Sequence, residues 1–500
     1  MLVLDVGHRP PPTALAGNLY DLRKAPGLGV DLFQSLIGTR FESLHNVFFK
    51  YTIPKLKSPG LRFVTHRADE FAAADADDIE YVASFAAGGM ANAWGAAFYP
   101  FHDEDFAGFP IGLGDIQPYY DAITAKIGIC GADDDLARFF GAPRDLLPPV
   151  ALGTSGRTIL RRYTRRRAAL NRQGLYVGRS RLAVLTREHD GRPAYQYDAL
   201  EFFRPTDASV YNPAHTLDEM VTQRQIRYQP GFIVEKYVDD GNGVTVYGRD
   251  CDTGAAHTLT CRRLILAAGT INTSKIVLSS NADYTTQLPL FDTPMTYVPM
   301  VDPRQIGGAL DKRVYSAAML SAFYAGKEAT PIQLTLYPVI GTLRSDYVFE
   351  FPLSVRGNVA AAKYLTPAML IVQLCYPATR PSIHLRLRPD DRLELRRIAS
   401  PEIGAERDVL RLFRQLGYFG SIAFCRHLAA GSSYRYAGTL PMAAQPTGRY
   451  TTSRDGLLAG TRAVYVADAA TLQPLPAKNH SFTMMANAMR IADHVGRTLA

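Results

Sequence analysis

Hydrophobic and polar residues follow patterns that divide the chain into strand-like and helix-like segments. Two alternating runs within residues 225–250 are joined by the sequence DDGNG, which predicts a β-hairpin. A continuous apolar run, Leu264 to Ala267, predicts a buried strand, and Gly269 after it introduces a helix. The run Val464 to Val466 predicts a second buried strand near the C-terminus. A strand, a glycine and a helix in this order bring backbone N–H groups to a phosphate.

Helical spacing of apolar residues predicts two longer helices. Tyr119, Ile123 and Ile127 recur at this spacing after Asp115, which is suited to cap a helix. The C-terminal helix is predicted to be amphipathic, with an apolar face made of Met484, Met485, Ala488, Ile491, Ala492 and Val495.

Two further patterns concern the sheets. Residues 285–450 alternate β-like runs with loops, which predicts a separate antiparallel sheet that forms the floor of a second domain. The chain opens with an apolar strand that ends in an acid, Leu2 to Asp5, and then turns at Gly7. This opening is typical of the second strand of a dinucleotide-binding unit, whose Gly-rich phosphate loop lies about 20 residues upstream of the acid.

Composition is that of a globular protein of more than one domain. The chain has 500 residues, of which 47% are hydrophobic and 20% are charged. Its five cysteines are scattered without metal-ligand spacing, which predicts free thiols, no metal site and a reducing compartment, hence a cytoplasmic location. No apolar run reaches about 18 residues, so we expect no transmembrane segment.

The net charge of +8 comes largely from nine arginines between Arg157 and Arg181. Two interpretations are open: a solvated basic helix, or a docking patch for an acidic partner, a membrane surface or nucleic acid. One basic run without a nucleic-acid-binding fold favours the first, so no nucleic-acid partner is expected.

Four blocks, taken together, resemble the glucose–methanol–choline (GMC) oxidoreductases, a two-domain family of FAD enzymes. The first block is the opening strand with Asp5 and Gly7. The others are GGMANAWGAAFYP, AAGTINTSKIVLSS and VYVADAATLQPLPAKNHSFTMMANAMRIADHV, in family order and spacing. The implied fold is α/β, of the two-domain α+β kind: an incomplete Rossmann-like FAD-binding domain with a second, antiparallel-sheet substrate domain.

The resemblance also implies a division of the chain. Residues 1–130, 211–284 and 456–500 would form the FAD-binding domain. Residues 131–210 would connect it to the substrate domain or belong to that domain, and residues 285–455 would form the substrate domain itself.

The resemblance assigns cofactor contacts residue by residue. Asp5, followed by Gly7, would hold the adenosine ribose, and the backbone of Val234 would meet the adenine. A loop along the flavin would be formed by Gly88, Gly89, Asn92, Trp94 and Gly95. The adenine nucleotide side would be lined by Ala268 and Gly269. The pyrophosphate would be met by Asp468 and Ala469, and the flavin ring by Asn479. Close backbone donors suit an anion and a flat ring.

One position departs from the family at the expected catalytic base. The family takes this base from a His-x-x-Gly-Thr stretch, but here the stretch is RYAGT, which puts Arg435 in place of the histidine. Arginine stays protonated and cannot accept the hydroxyl proton. Three interpretations remain open. His480, beside Asn479, is the base; Tyr434, Tyr436 or His427 is; or Arg435 clamps an anionic ligand and no alcohol is oxidised.

A second departure is the absence of the Gly-rich phosphate-binding unit before the opening strand. A start codon assigned too late, a separate chain that supplies the unit, or a protein without FAD would each explain it, and we favour the first. The expected function is oxidation of a CH–OH group of a sugar, polyol or other alcohol by hydride transfer to FAD, with an unidentified electron acceptor. The alternative is a degenerate, non-redox protein of this fold that binds an anion through Arg435.

Overall fold

The structure is a computed structural model that describes residues 1–11, 34, 37–40, 42–44, 53–142, 144–197, 200–202, 208–311, 313–326, 330–339, 353–399 and 403–499. The strands in chain order are β1 Leu2–Leu4, β2 Ala74–Asp75, β3 Leu175–Arg179, β4 Arg227–Gln229, β5 Phe232–Asp239, β6 Val244–Asp250, β7 Ala256–Cys261, β8 Leu264–Leu266, β9 Leu288–Leu290, β10 Met295–Val301, β11 Leu320–Tyr324, β12 Ile332–Pro338, β13 Met369–Cys375, β14 Ile383–Leu387, β15 Leu393–Arg397, β16 Arg426–His427 and β17 Val464–Val466. The α-helices are α1 Ala68–Phe71, α2 Leu113–Ile127, α3 Ala137–Phe140, α4 Thr154–Arg172, α5 Pro213–Thr222, α6 Thr270–Ser280, α7 Val355–Leu365, α8 Glu406–Gln415 and α9 Ser481–Leu499.

The largest sheet is antiparallel and has the strand order β16-β10-β13-β12-β11-β3. One of its faces is apolar and packs against α4 and α8. Tyr163 of α4 and Phe413 of α8 belong to the same buried cluster as Leu334, Val372 and Leu374 of the sheet. Because side chains alternate along a strand, the residues between these leucines and valines lie on the opposite face. That second face is polar and forms part of the site described below.

The prediction of a single sheet for residues 285–450 is wrong, because the strands of this region form two sheets. Strands β9, β14 and β15 pair with one another, and β15 pairs in parallel with β2 from the N-terminal part of the chain. Their apolar residues Leu290, Leu385 and Leu395 are buried in a core shared with Val464 of β17. This second sheet therefore packs against the C-terminal strand.

Two parallel pairs contain the strands that end in the predicted nucleotide contacts. Strand β1 pairs with β4, and β8 pairs with β17. Among the described residues, no strand is hydrogen-bonded to the other edge of β1 or of β8. Each of β8 and β17 is followed by a turn and then by a helix, α6 or α9, as the pattern predicted.

The hairpin predicted in residues 225–250 is confirmed as β5 and β6, and β7 extends it to three strands. The helix predicted after Asp115 is confirmed as α2, which begins two residues earlier. Asp115 stabilises its first turn by accepting a hydrogen bond from the backbone N–H of Gly112 at 2.9 Å.

The predicted apolar face of α9 is only partly correct. Ile491 and Val495 are buried, but Ala492 is exposed, and the face is completed by Phe482, Thr483, Ala486, Asn487 and Arg490. Two polar side chains face the core because they bond one another: Nε of Arg490 donates to Oδ1 of Asn487 at 3.1 Å.

The cysteines are all free thiols, as predicted. Within the described ranges, no helix has the length and apolar character needed to cross a membrane.

Candidate functional site

Three segments distant in sequence meet beside the polar face of the large sheet. They are the Gly-rich loop Gly88–Gly95, the segment 431–438 and the turn before α9. Phe98, just after the loop, stacks on Phe482 of α9 with ring centroids 4.3 Å apart, and Trp94 meets Phe98 edge-on at 5.8 Å. Tyr434 and Met90 of the loop both pack against a buried cluster that includes Val82 and Ala93. Aromatic packing therefore holds the three segments together.

His480 lies at the start of α9 and is 7% exposed. Its carbonyl oxygen accepts the hydrogen bond from Met484 N–H that opens the helix, and its Nδ1 has no hydrogen-bond partner. Burial, and then the positive charge of Arg435, lower the pKa of His480 to about 3. The imidazole is therefore neutral near pH 7, and a neutral imidazole can accept a proton.

Asn479, the preceding residue, donates from Nδ2 to the carbonyl oxygen of Ala97 at 3.5 Å. Its Oδ1 is buried without a partner. A buried acceptor that no protein donor satisfies is costly, which is why such atoms are typical of ligand sites.

Arg435 lies near enough to His480 for its charge to act on the imidazole. Its Nη1 is buried without a partner, and its guanidinium donates a hydrogen bond to the thiol of Cys375 on β13. The buried carboxylate of Asp292 accepts hydrogen bonds from Gly431 N–H at 2.7 Å and from the Ser433 hydroxyl. Burial raises the pKa of Asp292 to about 6, although these hydrogen bonds oppose the shift.

The other candidate bases, Tyr434, Tyr436 and His427, all have hydrogen-bond partners in the protein. Tyr436 donates to the carbonyl oxygens of Glu80 and Gly431 at 2.9 and 3.1 Å, and Tyr434 bonds the Glu80 carboxylate. His427 lies on the exposed edge strand β16 and bonds Thr296 Oγ1. Of these candidates, only His480 combines burial with an unpartnered ring nitrogen at the meeting point of the three segments.

The polar face of the large sheet forms one side of this site. Tyr297 of β10 and Gln373 of β13 are opposite each other in register, and Gln373 is also opposite Thr335 of β12. Tyr297 and Tyr337 are only half-buried, and the Arg435 charge acts on the pKa of Tyr337, Tyr99 and Cys375. This polar face was not predicted from the sequence, although the alternation of polar and apolar residues in QLTLY and IVQLC indicates a strand with one polar face.

The Gly-rich loop is held by its own side chains. Asn92 donates from Nδ2 to the carbonyl oxygens of Ala87 and Gly89, and its Oδ1 accepts from Asn212 at 2.5 Å. Trp94 donates from Nε1 to Tyr211 O at 2.9 Å. These contacts give Asn92 and Trp94 a role in shaping the loop.

The glycines of the loop differ in the space around them. Gly88 and Gly89 both have positive φ angles, of 84° and 57°. A Cβ added to Gly88 would lie 2.1 Å from Asn212 Oδ1, one added to Gly89 would meet nothing within 4 Å, and one added to Gly95 would touch Ala317 at 3.5 Å. Gly89 is therefore the loop position that faces open space.

At the end of β1, Asp5 accepts a hydrogen bond from the Tyr228 hydroxyl at 3.0 Å, and burial raises the pKa of its carboxyl. Gly7 has a φ of 69°, and an added Cβ would collide with the same hydroxyl at 2.2 Å. Val234 lies in β5 at a bulge in the ladder with β6. The structure brings β5 beside Asp5, since Phe232 N–H donates to Asp5 O at 3.0 Å.

The turns after β8 and β17 are tied together by Asp468. Its carboxylate accepts hydrogen bonds from Gly269 N–H at 3.0 Å, from Ala470 N–H at 2.9 Å and from the Thr273 hydroxyl. Ala268 N–H donates to the Thr273 hydroxyl at 3.2 Å. Ala469 begins a short 3₁₀ turn, and its carbonyl oxygen accepts from Gly438 N–H, which links this region to the segment 431–438.

A cavity of about 220 Å³ lies on the other side of the Gly-rich loop. Lys55 lines it, donates to the carbonyl oxygen of Trp94 at 2.8 Å and is buried. Burial lowers the pKa of Lys55 to about 8, although the nearby Glu201 charge opposes this shift. Lys55 was not predicted from the sequence, because it belongs to no recognisable motif.

No family model matches the chain. Solved structures nevertheless share its fold. A pyridoxine 4-oxidase from Mesorbium loti superposes with a TM-score of 0.55 at 15% identity, over 83% of this chain and 85% of that chain. An FAD-dependent oxidoreductase from Chaetomium thermophilum gives a TM-score of 0.55 at 14% identity, over 84% and 87%. The mixed α/β fold with an antiparallel second sheet is thus the fold of these oxidoreductases.

A relative is detectable by sequence as well. A 2-methyl-1,2-propanediol dehydrogenase from Mycolicibacterium austroafricanum is 27% identical over 175 residues. That match covers 34% of this chain and spans 30% of the length of the relative.

Proposed function

We propose that this protein is an FAD-dependent oxidoreductase of the GMC type that oxidises the CH–OH group of a small-molecule alcohol. The observation that carries the proposal is the meeting of Asn479, His480 and Arg435, each with an unpartnered buried polar atom. The fold shared with an FAD-dependent oxidoreductase and the partial similarity to a diol dehydrogenase support it.

The residues fit a flavin best at the ring end. Gly89 leaves open space beside its backbone, and Asn479 Oδ1 lacks a donor that a ligand would supply. At the nucleotide end, Asp5, Ala268 and Asp468 already bond protein groups, so a bound FAD would compete with the Tyr228 hydroxyl for Asp5. When bound, FAD would supply the two-electron acceptor for the alcohol.

His480 is the proposed base, because its neutral Nδ1 can take the hydroxyl proton of the alcohol. Asn479 Oδ1 remains for a second donor, because a hydroxyl that donates its one proton to His480 cannot also donate to Asn479. The stacked rings of Phe98 and Phe482 place apolar surface two residues from His480.

Titration of the purified protein with FAD, followed by anaerobic addition of alcohols, tests the proposal. We expect saturable FAD binding, bleaching of the flavin absorbance by an alcohol, and loss of that bleaching in H480A with FAD binding retained. Exposed His257 supplies the matched control H257A. A protein that takes up no FAD would contradict the proposal.

The second candidate function is anion binding without redox chemistry, and the unpartnered Nη1 of Arg435 favours it. The variant R435H separates the two. Alcohol-dependent flavin reduction that appears only in R435H would mean that the natural site lacks a competent base.

A further inference from the structure

Arg435 has no hydrogen-bonded counter-ion among the described residues, although the Asp292 carboxylate lies close enough for the two charges to interact. Arg435 Nη1 has no partner, and no described carboxylate forms an ion pair with this side chain. Asp292 contributes to the local field, but its oxygens accept from Ser433 and Gly431. An unpaired guanidinium in a water-poor site is best stabilised by an anionic ligand.

The other two unpartnered atoms of the site are hydrogen-bond acceptors and therefore require a donor. Asn479 Oδ1 only accepts hydrogen bonds, and His480 Nδ1 accepts one when the other ring nitrogen carries the proton. Both lack a protein donor. A ligand that satisfies them must donate, as a hydroxyl group does.

We propose that this site binds a hydroxy acid, with the carboxylate on Arg435 and the adjacent hydroxyl donating to Nδ1 of His480, beside Asn479. The inference rests on the proposed function, since the hydroxyl held by His480 is the group to be oxidised. A neutral alcohol would leave Arg435 Nη1 unpaired, and a simple carboxylate would leave His480 Nδ1 without a donor. A ligand with both groups satisfies the guanidinium and the imidazole together.

The surroundings favour a hydroxy acid with an aromatic or otherwise broad side chain. Half-buried Tyr297 and Tyr337 lie on the polar face of the sheet next to Cys375, which Arg435 contacts. Tyrosine rings stack on flat apolar groups and still offer a hydroxyl. Mandelate and its neutral counterpart 1-phenylethane-1,2-diol are therefore suitable matched probes, with lactate and propane-1,2-diol as the smaller pair.

The carboxylate would also affect the base. The positive charge of Arg435 lowers the pKa of His480, together with burial. A bound anion offsets that charge and so raises the pKa of His480, which makes it a stronger base when the substrate is in place. Among the described residues, the titratable groups that interact with the Arg435 charge besides His480 are Tyr99, Tyr337, Cys375 and Asp292.

Calorimetric binding of the four probes to the protein without added FAD tests the inference. We expect each acid to bind more tightly than its diol, and R435Q to weaken acid binding about 10- to 100-fold, a much larger factor than for diol binding. R435K should recover part of the loss because it keeps the charge, and R166Q, on the exposed side of α4, should bind like the natural protein. NMR of ¹⁵N-labelled histidine should show the His480 pKa rising with mandelate and not with the diol.

Equal binding of acids and diols, no binding of either acid, or an acid preference that survives in R435Q would each overturn the inference. Thermal unfolding of R435Q checks that the variant is folded, and R435K tests the charge if R435Q is not. The proposed function is tested separately by flavin reduction. Acids that bind while neither the acids nor the diols reduce FAD would refute the proposed function alone, and diols that reduce FAD as well as the acids do would refute the hydroxy acid alone.

Discussion

At the scale of single residues, the site is defined by buried polar groups that have no hydrogen-bond partner in the protein. The imidazole of His480 is buried beside a guanidinium, and Asn479 presents an acceptor without a donor. Burial of polar atoms without partners lowers stability, and such a loss is typical of positions kept for function. Two predictions belong to this scale.

The variant H480Q should make the protein less sensitive to acid. The pKa of His480 is about 3 in the folded protein and about 6.5 when unfolded, so between these values the unfolded chain binds the extra proton and stability falls as the pH falls. At about pH 5 the wild type loses about 2 kcal/mol through this residue, and H480Q does not lose it. Urea unfolding at about pH 7 and pH 5 measures the difference.

Asp292 changes the stability in the opposite direction over part of this pH range. Its folded pKa of about 6 lies above its unfolded value, so it stabilises the folded protein as the pH falls from about 6 to about 4. The comparison of H480Q with wild type cancels this contribution. The exposed control H257Q should follow the wild-type curve, and an identical curve for H480Q would show that His480 is protonated in the folded state.

The paired variants G88A and G89A should separate loop folding from flavin binding. In G88A the new Cβ collides with Asn212 Oδ1 at a positive φ angle, so we expect a loss of about 2–4 kcal/mol. In G89A the Cβ enters open space, and the loss should be about 1 kcal/mol from backbone strain alone. FAD titration of the folded G89A should nevertheless show weaker binding, because the methyl group occupies the space assigned to the flavin.

At the scale of elements, the turns after β8 and β17 are joined by one carboxylate. Asp468 accepts from Gly269 at the start of α6 and from Ala470 in its own turn, so it fixes the two strand-to-helix turns relative to each other. The parallel pair β8 and β17 has only three paired positions, so this contact adds substantially to its order. The segment 431–438 depends on the same turn through Ala469.

The variant D468N should lose about 2–4 kcal/mol of stability, because the amide keeps one acceptor and points an N–H group at backbone donors. Circular dichroism during urea unfolding measures the loss. The matched control D252N changes a side chain that is 89% exposed and should stay within about 0.5 kcal/mol of wild type. A D468N protein as stable as D252N would show that the two turns are held by other contacts.

At the scale of the whole molecule, the basic segment between Arg157 and Arg181 is largely part of the structure. Arg162 forms an ion pair with fully buried Asp302, its Nη2 lying 2.7 Å from Oδ2, and Arg181 donates to the carbonyl oxygens of Phe140 and Gly141. Arg165 and Arg166 remain on the exposed side of α4. The exposed arginines fit either interpretation of the basic run, whereas Arg162 and Arg181 are bonded within the structure.

The variant R162M should destabilise the protein by about 3–5 kcal/mol, because it leaves the Asp302 carboxylate buried without its cation. R166M should have almost no effect, since its side chain is solvated. Thermal unfolding of both variants at low and high salt makes the comparison, and the R162M loss should persist in salt because buried pairs are weakly screened. A salt-dependent loss would place the Arg162 pair at the surface.

Local patterns in the sequence determined the elements that depend on neighbouring residues. The strand, glycine and helix at Leu264–Ser280, the hairpin through DDGNG and the final helix follow from short-range sterics and periodicity, and the structure contains them. The position of Arg435 within its motif also predicted that His480 would be a candidate base. The structure places both side chains in one site, and their catalytic roles stay predictions.

Tertiary structure alone decided which strands pair and what surrounds the site. Strands β14 and β15 join β2 instead of the large sheet, and the polar face uses Tyr297, Tyr337 and Cys375 from three strands far apart in sequence. The burial that shifts the pKa of His480 and the missing partner of Arg435 depend on all these segments at once. Such long-range contacts leave no periodic signal in the chain, because the partner of each residue is set by the packing of the whole molecule.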